Sequence, residues 1–115
     1  MRRGEVRLVE FEPVRGTEAN KTRPAVIVSN DSANAVAERL GRGVITVLPL
    51  TTNTEGVYPF QVHLPADESG LPRDSKVQAE QIRSVAVERI GRRVGEVPAG
   101  LMAEVDAAVR LHLAL

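Results

Sequence analysis

Gly16-Thr17-Glu18-Ala19-Asn20-Lys21-Thr22-Arg23-Pro24 leads directly into Ala25-Val26-Ile27-Val28, and this junction of a charged loop with an apolar run decides the fold. On the N-terminal side of the loop, Glu5 to Phe11 alternates. Val6, Leu8 and Glu10 fall on one side, and Arg7, Val9 and Phe11 on the other. A period of two marks a strand. Ala25 to Ser29 is short, continuous and apolar, bounded by Pro24 and Asn30, as expected of a strand buried on both faces. The loop therefore joins two strands, and it forces a carboxylate and two cations into one short connection. Arg23 precedes a proline, which biases its backbone toward the extended region just where the second strand begins. Polar side chains on a loop held by a rigid sheet are where binding and catalysis concentrate.

Working outward, Asn30 or Asp31 caps a short Ala-rich helix through Leu40, with Gly41 as its stop. Val44 to Leu50 reads as a third strand. Phe60, Val62 and Leu64 share one face of a fourth, with Gln61 and His63 opposite. Asp67 to Asp74 reads as a polar loop. Lys76 to Gln81 and Ser84 to Val87 read as further short strands, and Arg92 to Gly95 closes the sheet. Pro98 suits the first turn of a final helix, where its missing N–H costs nothing. Leu101, Val105, Ala108 and Val109 give that helix an apolar stripe, with Met102 and His112 at its margin. Glu104, Asp106 and Arg110 carry its polar side. Six or seven short strands separated by turn residues predict a mainly β domain with short helices, built as a strongly bent sheet or barrel. The helices lie outside it or at its end. Residues 1–115 form a single domain, with no repeats.

The totals narrow the chemistry. The chain has no cysteine, which excludes disulfides, thiolate catalysis and zinc ribbons. Its start is charged and no long apolar segment follows, so the expectation is no signal peptide, no membrane span and a cytoplasmic location. Fifteen Lys+Arg balance fifteen Asp+Glu. A general polyanion binder is usually basic, although a cleft focuses its own field whatever the total. The basic residues are overwhelmingly Arg, whose planar fork suits phosphate. Only two histidines are present. His63 falls on the polar face of its strand with no triad signature nearby, and His112 suits packing or capping near the end of the final helix. Clustered metal ligands and glycine-rich phosphate loops are absent from the sequence, so no metal site and no cofactor are expected. What remains is a set of Arg, Glu, Thr and Gln at strand ends: Glu18 and Arg23, Thr51-Thr52-Asn53, and Gln78, Glu80, Gln81 and Arg83. Each has a plain structural alternative as a surface ion pair, a turn residue or a partner for buried backbone.

Read together, these pieces resemble a known family. Arg3-Gly4-Glu5-Val6, Phe11-Glu12-Pro13, Gly16-Thr17-Glu18, Arg23 to Ser29, Pro49-Leu50-Thr51-Thr52 and Glu80-Gln81-Ile82-Arg83 resemble the MazF/PemK/Kid toxins of bacterial toxin–antitoxin pairs. Val97-Pro98 and Met102 to Asp106 share the likeness, which covers almost the whole chain. Each piece is weak alone; their order and spacing are specific. The resemblance implies an SH3-like barrel of the Kid/MazF/CcdB kind with a C-terminal helix, and a homodimer. It implies an endoribonuclease, an mRNA interferase, that cuts single-stranded RNA within a short sequence. No metal is needed, and the products are a 2′,3′-cyclic phosphate and a 5′-hydroxyl. The implied partner is a cognate MazE-like antitoxin whose acidic tail covers the RNA groove.

Carried over residue by residue, the MazF branch places its essential Arg at Arg23 and its essential Thr at Thr51, with Thr52 the choice if the alignment slips by one. Its loop Glu matches Glu18, and a substrate-contacting Gln matches Gln81. The Kid branch uses a His, an Arg and an Asp where this chain has Thr17, Gln78 and Glu80, which disfavours its mechanism here. With the RNA's own 2′-hydroxyl as nucleophile, the protein need supply only proton transfer and charge stabilisation. Arg23 is then a clamp on a phosphoryl oxygen and a candidate acid, although a guanidinium holds its proton tightly. Glu18 is either the base or the group that orients Arg23. RNA contacts are expected from Thr17, Asn20, Lys21, Thr52, Asn53, Gln78 and Gln81, mostly by hydrogen bonding, because Phe11, Tyr58 and Phe60 are the only aromatics. Two alternatives stand beside this reading: a non-nucleolytic toxin of the same fold that binds DNA gyrase, and a catalytically silent RNA-binding module.

Overall fold

A computed structural model describes residues 1–11 and 22–115. Its strands are β1 (Glu5–Glu10), β2 (Thr22–Ile27), β3 (Val44–Thr51), β4 (Gln61–Leu64), β5 (Ser75–Gln78), β6 (Arg83–Ala86) and β7 (Ile90–Glu96). Its helices are α1 (Asp31–Leu40), α2 (Ala66–Ser69) and α3 (Ala99–Leu113). The strands run in the order β4-β5-β3-β2-β1-β7, with β6 also paired to β3, and every pairing is antiparallel.

β3 is the strand on which the sheet turns. Its first half pairs with β6 from Val44↔Ala86 to Val47↔Arg83, and with β2 from Val47↔Ile27 to Pro49↔Ala25. The β2 ladder ends at Pro49, and on the opposite edge β5 takes over from β6, with Leu50 and Thr51 paired to Val77 and Lys76. Pro49 has no N–H to give to a ladder, so it suits the point where a strand changes partners.

The bend leaves apolar side chains to cover both faces. Val6, Val26, Leu48, Leu50, Val62, Leu64 and Val77 pack with Val105 and Ala108 of α3 in one core. Val9, Phe11, Ala25, Ile27, Ile45, Val47 and Val85 pack with Ala37 of α1 in the other. This is why Ala25 to Ile27 is continuously apolar: its alternate residues serve different cores. Arg3 ties the elements at one end. Its backbone N–H donates to Asp31 (2.7 Å), its Nε to the Val28 carbonyl (2.9 Å), and its guanidinium pairs with Asp106 on α3.

Most elements fall where the sequence puts them. Asn30 is the cap of α1, accepting from the Ala33 N–H at 2.8 Å, and Gly41 closes the helix in the left-handed conformation. The differences have physical causes. The polar stretch from Asp67 is not all loop: α2 forms one turn, with Asp67 and Glu68 at its positive end and the Ser69 hydroxyl donating to the Pro65 carbonyl (2.9 Å). Gly95 of β7 lies so close beneath it that a Cβ would sit 2.7 Å from the Ser69 carbonyl oxygen. The strand expected over Lys76 to Gln81 stops at Gln78, and Ala79–Gln81 forms a 3-10 turn. Gln61 is buried rather than facing solvent, because its amide is engaged by Glu80. Pro98 is the cap of α3, one residue before the helix proper. Asp106 is not merely solvated, being paired with Arg3.

On β1, burial pushes the Glu5 carboxyl up, but the Arg7 hydrogen bond, a backbone bond at Arg2 and nearby positive charge outweigh it and hold the group below the ordinary glutamate value. A depressed folded-state pKa contributes stability above the unfolded pKa, and loses it as pH falls through the folded value. Glu5→Gln should therefore lower the melting temperature at neutral pH, and the gap to wild type should close on the acid side of the glutamate range. Thermal melts of both proteins across that range check this.

Candidate active site

Strand register sets two of the sequence-nominated residues at the same end of the sheet. β2 pairs with β3 as Ile27↔Val47, Val26↔Leu48 and Ala25↔Pro49. The ladder stops there, and Arg23 and Thr51 each lie two residues beyond it. Arg23 is exposed on β2, opposite Val9 of β1. Thr51 is half-buried at the end of β3, opposite Lys76 of β5. Their neighbours Pro24 and Thr52 flank a small cavity of about 80 Å³, which Leu71, Pro72, Arg73 and Ser75 complete. Alternate residues of a strand share a face, so Arg23 goes with Ala25 and Ile27, Thr51 goes with Val47 and Pro49, and Pro24 and Thr52 belong to the other face.

The Thr51 hydroxyl oxygen accepts the Asn53 N–H at 3.2 Å, and the Asn53 side-chain oxygen accepts the Glu55 N–H at 3.2 Å. Two successive side-chain turns of this kind fix the chain as it leaves β3. They also use an acceptor lone pair of Thr51 and leave its O–H as a donor for a ligand.

Arg83, the first residue of β6, lies opposite Val47 and places its guanidinium carbon 5.0 Å from the centre of the buried Phe11 ring. It thereby joins the face that carries Arg23. In the sequence Arg83 is one polar residue among several at strand ends; only the β3–β6 register sets it apart. Gln78 ends β5 opposite Gln61, and Gln81 is exposed on the 3-10 turn. Tyr58 and Phe60 stack in parallel, 5.4 Å between centroids, with Tyr58 largely exposed. Phe60 is therefore half of a surface stack rather than core, and His112 of α3 lies against it at 6.5 Å. His63 is exposed, 3.8 Å from Asp74. Thr17, Glu18, Asn20 and Lys21 lie outside the described residues.

The charge around this region is not neutral, although the chain is. Arg92 and Arg93 line a cavity of about 440 Å³ with Leu8, Pro24 and Pro72, and Arg73 borders the smaller one beside Thr52. Arg93 is tied to Glu96 at 2.7 Å. Among the described residues, no three His, Asp or Glu side chains gather as a metal site would require. No described helix is long and apolar enough to cross a membrane. Guanidiniums and a hydroxyl free to donate are groups that suit phosphate.

Residues 2–113 match the family described as PemK-like, MazF-like toxins of type II toxin–antitoxin systems. The chain belongs to this family. It is 60% identical over all 115 residues to Endoribonuclease MazF9 of Mycobacterium tuberculosis, covering 98% of that protein. It is 38% identical over 114 residues to Endoribonuclease MazF2 of Mycobacterium bovis, covering 98% of this chain and 96% of that one. Among solved structures, a MazE–MazF crystal form from Deinococcus radiodurans superposes with a TM-score of 0.81 at 30% identity, covering 100% of this chain and 96% of the other. The bent seven-stranded sheet with its C-terminal helix is thus the SH3-like barrel of the MazF toxins, and the chain is a toxin of the endoribonuclease class.

If the face shared with Arg23 is the working one, the two threonines must differ. Thr51→Val keeps the side-chain shape and removes the hydroxyl. Cleavage by this MazF-type chain should fall roughly a hundredfold, the loss typical of one transition-state donor, while Thr52→Val, with RNA fully bound, should cut within about threefold of the wild-type rate and show its effect in RNA affinity. Single-turnover cleavage rates of the two variants check this.

Proposed function

We propose that this MazF-type toxin cuts single-stranded RNA within a short sequence, without a metal, by turning the RNA's own 2′-hydroxyl on the adjacent phosphate. The products are a 2′,3′-cyclic phosphate and a 5′-hydroxyl. What supports this is the β2–β3 register from Ile27↔Val47 to Ala25↔Pro49, which puts Arg23 and Thr51 two residues beyond the same end of that ladder. Arg23 clamps a phosphoryl oxygen with its fork and stands as the acid for the departing 5′-oxygen, while the Thr51 hydroxyl donates to a second phosphoryl oxygen. Because the nucleophile belongs to the substrate, the site works without a histidine or a serine triad. Glu18 is the carboxylate assigned to this site, as base or as the group that orients Arg23.

Thr17, Asn20, Lys21, Thr52, Asn53, Gln78 and Gln81 are assigned to RNA contact, with Arg73 and Arg92 supplying positive potential along the strand. The protein works as a homodimer in the cytoplasm. Its cognate MazE-like antitoxin lays an acidic segment over the same arginines. The named MazE–MazF relative supports a toxin of this shape taking an antitoxin partner.

The deciding experiment digests a long RNA with purified protein in EDTA and maps the ends. Discrete cuts with 5′-hydroxyl ends are expected; an intact RNA with folded protein overturns the reading and favours a non-nucleolytic toxin. Arg23→Ala should keep the fold and antitoxin binding, and lose at least about a hundredfold in cleavage rate. RNA affinity should weaken with salt, the logarithm of the binding constant falling by about 0.7 per phosphate contact for each tenfold rise in salt. Affinity flat between low and physiological salt would contradict a phosphate-binding surface.

A further inference from the structure

Residues 52–60, which join β3 to β4, are held by side chains at three points. At the start, Thr51 accepts the Asn53 N–H. In the middle, Lys76 of β5 donates from Nζ to the Gly56 carbonyl at 2.8 Å. At the end, the Tyr58 N–H donates to the Gln61 side-chain oxygen (3.2 Å), and the Gln61 amide nitrogen donates to Glu80 (2.6 Å). Glu80 sits on the 3-10 turn that also carries Gln81.

The middle point stands out. Lys76 is 7% exposed, and no described carboxylate forms a salt bridge with it. It is one of only two lysines in a chain that otherwise uses arginine. Register places it opposite Thr51 on one side and His63 on the other. Burying an ammonium without a counter-charge costs stability, and an apolar side chain of similar length fills the same space without that cost. Packing therefore does not account for Lys76. Its one described bond goes to Gly56, whose φ of 65° sets the direction of the turn.

We infer that Lys76 is a positioning residue that sets sequence selection. By fixing the Gly56 carbonyl, it sets where Asn53 and the exposed Tyr58–Phe60 stack stand relative to Thr51, and so which bases fit beside the cut. The Gln61–Glu80 pair is the second anchor of the same segment. This inference rests on the RNA-cleaving reading above.

The test compares wild type, Lys76→Met and Gln61→Met. Lys76→Met should melt at or above the wild-type temperature, since it removes a buried charge. Amide exchange over residues 53–58 should speed by about tenfold or more and stay unchanged in the core strands. On a long RNA with mapped ends, new cut sites should join the wild-type ones. At the preferred wild-type site KM should rise about tenfold, with kcat within about threefold. The salt slope of binding should stay at the wild-type value; a decrease of about 0.7 would mean that Lys76 contacts a phosphate itself, and would overturn the positioning role. Gln61→Met should broaden the cut sites in the same way, and carries the test if Lys76→Met does not fold. Unchanged cut sites, or unchanged exchange over 53–58, overturn the inference while wild-type cleavage stands. No cleavage by wild type would bring down the RNA reading and the selection role with it.

Discussion

β3 changes partners at Pro49, and most of what is distinctive in this structure follows from that. Its ladder with β2 ends there, and on its opposite edge β6, paired as far as Val47, gives way to β5 at Leu50. The change of partner bends the sheet, which lets one short chain wrap two apolar cores. The β2–β3 ladder stops at the same place, two residues short of Arg23 and Thr51.

The electrostatics follow the same geometry. Fifteen positive and fifteen negative residues cancel over the chain, but not over its surface. Several acidic side chains are taken up in local pairs: Glu5 with Arg7, Asp106 with Arg3, Glu38 with the N-terminal amine, Glu96 with Arg93. Arg73, Arg92 and Arg93 line the two cavities beside Pro24. A neutral total is therefore compatible with a phosphate-binding face, since what matters is the field at the cleft.

The connecting segments are not equal in how they are held. The 52–60 segment is fastened by Thr51, Lys76 and Gln61, each a side chain of a flanking or adjoining strand. A loop fastened this way presents its own side chains in a fixed frame, which a recognition surface requires. Two of the groups that hold it, Lys76 on β5 and the Glu80 that fixes Gln61, lie about twenty positions away in sequence, so β5 and the turn after it must be in place before the loop is shaped.

Much was legible in the sequence because it depends on local rules. The alternation of Val6 to Phe11, the continuous Ala25 to Ile27, the Asn30 cap with its Gly41 stop, and the apolar stripe of α3 are periodicities and caps that any fold must respect. Family resemblance named Arg23 and Thr51, and chemistry without histidine gave them work to do. What the sequence left out depends on long-range pairing. Gln61 alternates as a polar surface residue and is buried, because Glu80 lies across from it after the chain has turned. Arg83 is one of many arginines until β6 lies against β3 and brings it over Phe11. Lys76 reads as part of an ordinary strand until β5 pairs with both β3 and β4 and encloses it. Local sequence determined which elements form and which residue types could act; tertiary structure alone decided which of them meet, because register between strands distant in the chain is set by the packing of two cores and not by any one segment.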